Sequence, residues 1–248
     1  MRNAGTWHVG VIVLVLVFGP VATFAGRPLD TEDTGTVDPG KAELELSGDF
    51  VRNPEENTWF AKGVLSVGLL PRLEARIESA LPFVEPEGQS VNGGIGDSLL
   101  GAKYRLVDEA PTIPAVLGSL TVRLPTGDDE RGLGTEEVDL GLLAVVSKVF
   151  GPVTLTWNGG YTFATRNEDL SFWTLAGSVE YRATKEWSLV GEVVSGFGAS
   201  AADDLAVLRA GTVYVITDRV RLDAAVGVGA TRESSDVIVT FGVTIALF

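Results

Sequence analysis

The stretch VNGGIGDSLLGAKYRL, residues 91–106, decides how the chain is read. Gly93, Gly94 and Gly96 stand just ahead of an apolar run, as they would in a phosphate-cradling loop that opens a helix or in a turn that feeds a strand. The third glycine is not at the spacing a dinucleotide loop needs. Leu100, Ala102, Tyr104 and Leu106 instead alternate with Lys103 and Arg105. A period of two belongs to a strand, so the glycines read as a loop entering a sheet.

The same alternation recurs along the chain. It predicts about twelve strands, over 41–51, 58–69, 73–83, 97–107, 114–124, 137–149, 153–163, 171–182, 187–197, 205–216, 219–229 and 236–248. Nearly all charges keep to one parity. Glu74, Arg76 and Glu78 oppose Leu73, Ala75 and Ile77, while Arg219, Arg221 and Asp223 oppose Val220, Leu222 and Ala224. One face is polar and the other nearly free of charge, a pattern shared by soluble sandwiches and membrane barrels.

Connections separate the two. Short ones (Pro71-Arg72, Phe150 to Pro152, Arg182 to Glu186, Thr217-Asp218, with Asp108 to Ile113 the longest of this set) alternate with longer polar ones. The longer set comprises Val84 to Gly96, Pro125 to Glu136, Ala164 to Leu170, Gly198 to Asp204 and Ala230 to Ser235. Aromatics on the apolar parity gather at both strand ends. Phe50, Trp59, Phe83, Tyr161, Phe163, Trp173 and Phe197 lie near the long loops, and Tyr104, Tyr181, Trp187 and Tyr214 near the short turns. Trp157 fits neither group. A soluble core would concentrate rings near strand centres; a bilayer draws them to its two interfaces. The expected fold is all-β, a transmembrane antiparallel up-and-down barrel of about twelve strands with both termini in the periplasm.

Residues 1–25 read as a secretory signal peptide. Arg2 supplies the positive region, Val9 to Phe18 the apolar core, and Thr23-Phe24-Ala25 the small residues for cleavage. Residues 26–40 form a segment expected to lie in the periplasm or tuck into the lumen, and residues 41–248 the barrel. Beyond residue 25 the chain holds 18 basic and 33 acidic residues, a formal charge of −15, which does not suit nucleic acid.

The chain has no Cys, and its one histidine, His8, lies within residues 1–25. Ser-His triads, Cys nucleophiles and His-based zinc sites are thereby unavailable, so no catalytic, cofactor or metal site is assigned and an enzyme is not expected. Inward carboxylates such as Glu74 with Glu78, or Glu180 with Glu192, read as partners for inward bases. The acids Asp128, Asp129, Glu130, Glu136 and Glu137 read as a solvated loop, with divalent bridging to lipopolysaccharide the minor alternative.

Arg27 to Phe50, Gly93 to Leu106, LPTGDDERGLGT (residues 124–135), SKVFGPVTLTWNGGY (147–161) and the terminal TFGVTIALF together resemble the transporter-like outer-membrane barrels of the MetA-pathway-of-phenol-degradation family. The resemblance implies a barrel that passes small, often aromatic or apolar, molecules. The ending departs from the usual pattern. Phe248 falls one step outside the apolar parity of Val237, Val239, Phe241, Val243, Ile245 and Leu247.

The expected function is a monomeric channel for passive passage of small molecules through the bacterial outer membrane. Its partners would be lipid, lipopolysaccharide, the solute and the barrel-assembly machinery. The candidate lumen-lining residues are Glu74, Arg76, Glu78, Lys103, Arg105, Arg123, Asp139, Asn158, Glu192, Arg209 and Arg221, and Asp97 is expected to join them. The rivals are a structural or adhesive barrel with a closed lumen and, third, a secreted soluble β protein.

Overall fold

Strands with one apolar and one polar face can pair as two sheets with apolar faces together, or close as one sheet with apolar faces outward. The computed structural model of the chain takes the second course. It describes residues 26–53, 56–86, 88, 90–165, 171–198 and 205–248. Residues 1–25, which the sequence reads as a signal peptide, and residues 166–170 and 199–204 lie outside the described residues.

The strands are β1 (Ala42–Arg52), β2 (Glu56–Leu70), β3 (Leu73–Pro86), β4 (Asn92–Gly93), β5 (Ser98–Val107), β6 (Ala115–Leu124) and β7 (Asp139–Phe150). They continue as β8 (Val153–Ala164), β9 (Phe172–Arg182), β10 (Trp187–Gly198), β11 (Leu205–Thr217), β12 (Val220–Gly229) and β13 (Val237–Ala246). Each wall strand pairs antiparallel with its neighbour in sequence, and β1 closes the ring on β13, from Glu43 opposite Ala246 to Arg52 opposite Val237. The two-residue β4 stands outside this twelve-strand ring and pairs only with Phe83 and Val84 of β3. It arises because β3 runs on to Pro86 and the loop after it folds back, an extension the alternation did not mark.

Closure follows from the solvent. Hydrocarbon offers no partner to a backbone N–H or C=O, so only a sheet without edges can span it. The exterior has the matching chemistry. Leu175, Leu189, Val193, Val226 and Phe241 face outward and are each at least half exposed. A continuous apolar band of this kind cannot face water, which excludes the soluble alternative.

Rings on this exterior meet across strands. At the long-loop end Phe50 and Trp59 lie 4.4 Å apart, and Tyr161 lies 4.8 Å from Trp173 and 4.6 Å from Phe163. At the short-turn end Trp187 and Tyr214 are separated by 4.7 Å. Trp157 sits exposed on the wall between the two groups.

The short-turn rim is tightened by register shifts between Gly68 and Leu70, Arg105 and Val107, and Val215 and Thr217. Such bulges bend a strand where the wall ends. The two-residue turn Pro71-Arg72 places Arg72 at a positive φ of 71°. At the C-terminus the ladder stops at Ala246, and Phe248 lies exposed beyond it.

Val193 lies midway along β10, on the outer face, beside inward Glu192 and Val194. Val193→Arg should destabilise the barrel by about 2–4 kcal/mol, and Val194→Arg by much less. Urea unfolding midpoints in lipid vesicles check this; equal losses for the two variants would contradict the assigned faces.

Candidate functional site

The polar parity fills the barrel interior, and the segment before β1 runs through it. Residues 26–40 form a strap that passes from β12 by way of β11, β10, β8, β5 and β3 to β2, meeting an inward side chain or backbone group on each. Arg27 binds Asp223 of β12 at 3.0 Å. Asp30 binds Arg209 of β11 at 2.8 Å, and the same guanidinium donates to the Pro28 carbonyl at 3.2 Å. Glu192 of β10 accepts the backbone N–H groups of Asp30 and Thr31 at 3.0 and 2.8 Å, and the Thr31 hydroxyl at 2.6 Å.

At the centre, Glu32 and Asn158 exchange two hydrogen bonds. The Glu32 N–H donates to Asn158 Oδ1 at 2.7 Å, and Asn158 Nδ2 donates to the Glu32 carbonyl at 2.8 Å. The Glu32 carboxylate takes Lys103 Nζ at 2.8 Å and also pairs with Arg76. Lys103 additionally lies 3.5 Å from Asp33. The Val37 N–H donates to Glu74 at 2.9 Å, and Gly40 N–H donates to the Gly68 carbonyl at 2.9 Å. Glu192, Asn158 and Lys103 are mid-strand residues, so the strap crosses the lumen at about half its height.

Two wall glycines let the strap pass. A Cβ on Gly68 would lie 2.1 Å from the Asp38 carbonyl oxygen, and one on Gly242 would lie 2.5 Å from the Arg27 guanidinium. The first clash is with backbone, so it cannot be relieved by turning a side chain.

Of the candidate lumen residues, Glu74, Arg76, Lys103, Asn158, Glu192 and Arg209 converge on the strap. Lys103 is only 1% exposed, which requires its paired carboxylate, since an isolated buried ammonium would be prohibitively costly. Arg221 lies on the same inner surface, 3.9 Å from Glu45. Arg123 and Asp139 pair at 3.3 Å nearer the loops, and Glu78 is half-buried on the inward parity of β3. Arg105 stands apart from this set. Its guanidinium lies 3.0 Å from Asp108 in the turn that follows β5, which places it at the short-turn rim.

Asp97 departs from its expected place. It precedes β5 rather than belonging to it, and its carboxylate accepts the N–H groups of Gly127 and Thr135, both at 3.0 Å, and the Thr135 hydroxyl at 2.8 Å. It therefore joins two loops instead of lining the lumen. Arg131 of the second loop donates to Asn92 Oδ1 and to the Gly93 carbonyl, both at 2.8 Å, and Leu133 is buried beneath them.

On the long-loop side of the strap lies a cavity of about 260 Å³, with Asp30 and Arg76 at its floor and Thr121, Arg123, Asp139, Thr162 and Thr174 on its walls. A larger hollow of about 930 Å³ lies over Gly118, Ala144 and Gly159 on the outward parity, among Leu120, Leu142 and Tyr161, where it faces lipid.

A closed, charged-lined barrel crossed by its own N-terminal segment can be set beside known proteins. The sequence model of the family described as "Putative MetA-pathway of phenol degradation" matches residues 25–247. The chain belongs to this family. Among solved structures it is similar to the crystal structure of the COG4313 outer membrane channel from Pseudomonas putida F1, at 17% identity and a TM-score of 0.70, covering 88% of this chain and 100% of that one. It is also similar to the NanC porin, with 12% identity, a TM-score of 0.61 and coverage of 82% and 100%. The KdgM porin in complex with disordered oligogalacturonate gives 11% identity, a TM-score of 0.61 and coverage of 83% and 99%. No curated protein sequence matches. At these identities the structures share the fold with this family member. An outer-membrane location accords with its closed ring and apolar exterior.

The interior of this family member also holds Glu43, Glu45 and Asp49 of β1 and Asp223 of β12, all buried. Alternation places each on the polar parity, so the signal was present, although none stands among the candidates above. The strap acids Asp30 and Glu32 carry no such periodic signal.

Burial alone would push the Glu32 carboxyl up. The adjacent Lys103 and Arg76 outweigh that and hold it down, from an ordinary 4.5 to about 2. A group depressed in the docked state stabilises docking fully above its undocked value and loses that contribution as pH falls to its docked value. The chain lacks Cys, so a nitroxide on Thr34→Cys reports the strap alone. Its spectrum should stay immobilised from neutral pH to about 5 and loosen between 4.5 and 2. Lys103→Met, costing about 3 kcal/mol, should mobilise it at neutral pH; an unchanged spectrum in that variant would show that the ion pair does not hold the strap.

Proposed function

We propose that this barrel is a passive outer-membrane channel whose lumen is constricted by the strap of residues 26–40. The observation that carries the reading is how the strap is held. Its anchors are ion pairs and hydrogen bonds to Asp223, Arg209, Glu192, Asn158, Lys103 and Arg76, groups that water can replace. An apolar plug interlocked with the wall would have no comparable hydrated alternative. Inward charges also set selectivity, because a low-dielectric wall focuses their field along the lumen. Neither a nucleotide loop nor another energy source is evident in the sequence, which favours diffusion down a gradient.

The small molecule that crosses is the finer question. The family's name points toward aromatic or apolar compounds, and Leu99, Leu143 and Val194 give the cavity some apolar wall for them. A closed structural or adhesive barrel is the second reading. It is favoured by the crossing strap and by the Asp97 and Arg131 bonds that fasten two long loops together.

Planar-bilayer recording separates these readings. The mature protein should give small, intermittent conductance steps, and deletion of residues 26–40 should enlarge them severalfold and lengthen their open times. A refolded, heat-modifiable barrel that conducts neither with nor without the strap would sink the channel and leave the closed barrel standing.

A further inference from the structure

Resting on the channel reading, we infer that the cavity above the strap, on its long-loop side, is a binding site for a small, neutral, hydroxyl-bearing solute, of the size and chemistry of one sugar ring. Its charged groups are already spent on one another. Arg76 pairs with Glu32, Arg123 with Asp139, and Asp30 with Arg209. Asn158 uses both ends of its amide on the Glu32 backbone. An anionic solute finds no surplus cation here, and a cationic one finds no surplus acid.

Beside the apolar Leu99, Leu143 and Val194, the polar groups left toward the open space are hydroxyls. Ser119, Thr121, Thr162 and Thr174 line the cavity, and among the described residues their side chains have no hydrogen-bond partner. A hydroxyl both donates and accepts, so four of them suit a ligand that does the same. An aromatic or apolar solute would strand these groups away from water, at a cost that favours its rejection.

The register makes the recess. Thr121 and Thr162 flank Gly141 in one row, and Ser119, Leu143, Gly160 and Thr174 form the next. With no side chain at Gly141, the two threonines face each other across a gap. Two strand spacings separate them by roughly 10 Å. A Cβ position on Gly141 lies 3.7 Å from Thr121 and 3.8 Å from the Thr162 hydroxyl, so hydroxyls of one small ligand resting over this glycine can reach both. The cavity's 260 Å³ would hold roughly nine waters, enough for one such molecule and little more.

The recess can be filled without disturbing a polar group. A Cβ on Gly141 would make only ordinary contacts, 3.7 Å to Thr121 and 3.8 Å to the Thr162 hydroxyl, so Gly141→Val should fold.

Saturation-transfer NMR on the refolded mature barrel in detergent, with arabinose and benzoate as probes, tests the site without requiring conduction. Arabinose should receive saturation and benzoate little. Thr121→Val/Thr162→Val should weaken the arabinose signal about tenfold, and Gly141→Val should remove it, each with unchanged heat-modifiable migration. Benzoate binding more tightly than arabinose, or an arabinose signal untouched in both variants, would overturn the site even where the bilayer conductance is normal. Absent conductance with the arabinose pattern intact would overturn the channel reading and leave the site.

Discussion

The ladder between β1 and β13 is the constraint from which the rest of the molecule follows. Ten residue pairs join the two ends of the sheet, so every wall strand has a neighbour on both sides and no row of backbone groups is left facing hydrocarbon. Closure fixes which face is outside. Once the ring is shut, a one-residue slip in any strand would put charges such as Lys103 or Glu192 into lipid and Leu100 or Val193 into the lumen. The parity kept by nearly all charges in the strands is therefore a consequence of having a single closed sheet.

Closure also creates an interior that a chain of this size cannot leave uniformly empty. A twelve-strand ring is wider than the eight-strand kind that its own side chains fill. Here the space is taken by long charged side chains and by the strap, and the two depend on one another. Lys103 can be almost wholly buried because Glu32 is brought to it, and Glu32 is held there by Asn158 through backbone contacts that carry no charge. Removing either partner would leave the other as an unpaired charge in a poorly hydrated place, which costs more than the pair contributes when intact. The strap is thus part of the wall's electrostatics as well as an obstacle in its path.

Much of this architecture was legible in the sequence because it rests on periodicity. Alternation located all twelve wall strands within a few residues and put the charged groups on the inner face. It failed where no period operates. The strap has proline, glycine and scattered acids without a repeat, so nothing in its sequence distinguished a periplasmic tail from a chain crossing the lumen; its path depends on wall groups distant in sequence, Asp223 and Gly68 among them. Asp97 was misplaced for a related reason. The alternation of β5 extrapolates one residue too far, into the preceding loop, where backbone N–H groups of the loop after β6 bind that carboxylate. β4 likewise depends on a fold-back that two residues cannot announce. The buried acids of β1 were visible as a pattern, but their depth and their neighbour Arg221 come from the β12 and β13 registers, which sequence alone does not supply.

The same distinction bears on what crosses the barrel. Charge counted along the sequence gives a strongly acidic chain, as if the lumen should favour cations. Position reverses the emphasis. Much of that acidity lies in exposed loops such as Asp128 to Glu137, while around the cavity each charged group has an opposite partner and hydroxyls are left to face the space. Net charge then governs the field at the mouth, whereas local pairing governs what can rest inside. A solute meets these two filters in sequence, and only the second can distinguish molecules of equal charge. That discrimination depends on whether the hydroxyls opposite Gly141 are satisfied or left bare, a matter of hydrogen bonding within one short-range recess.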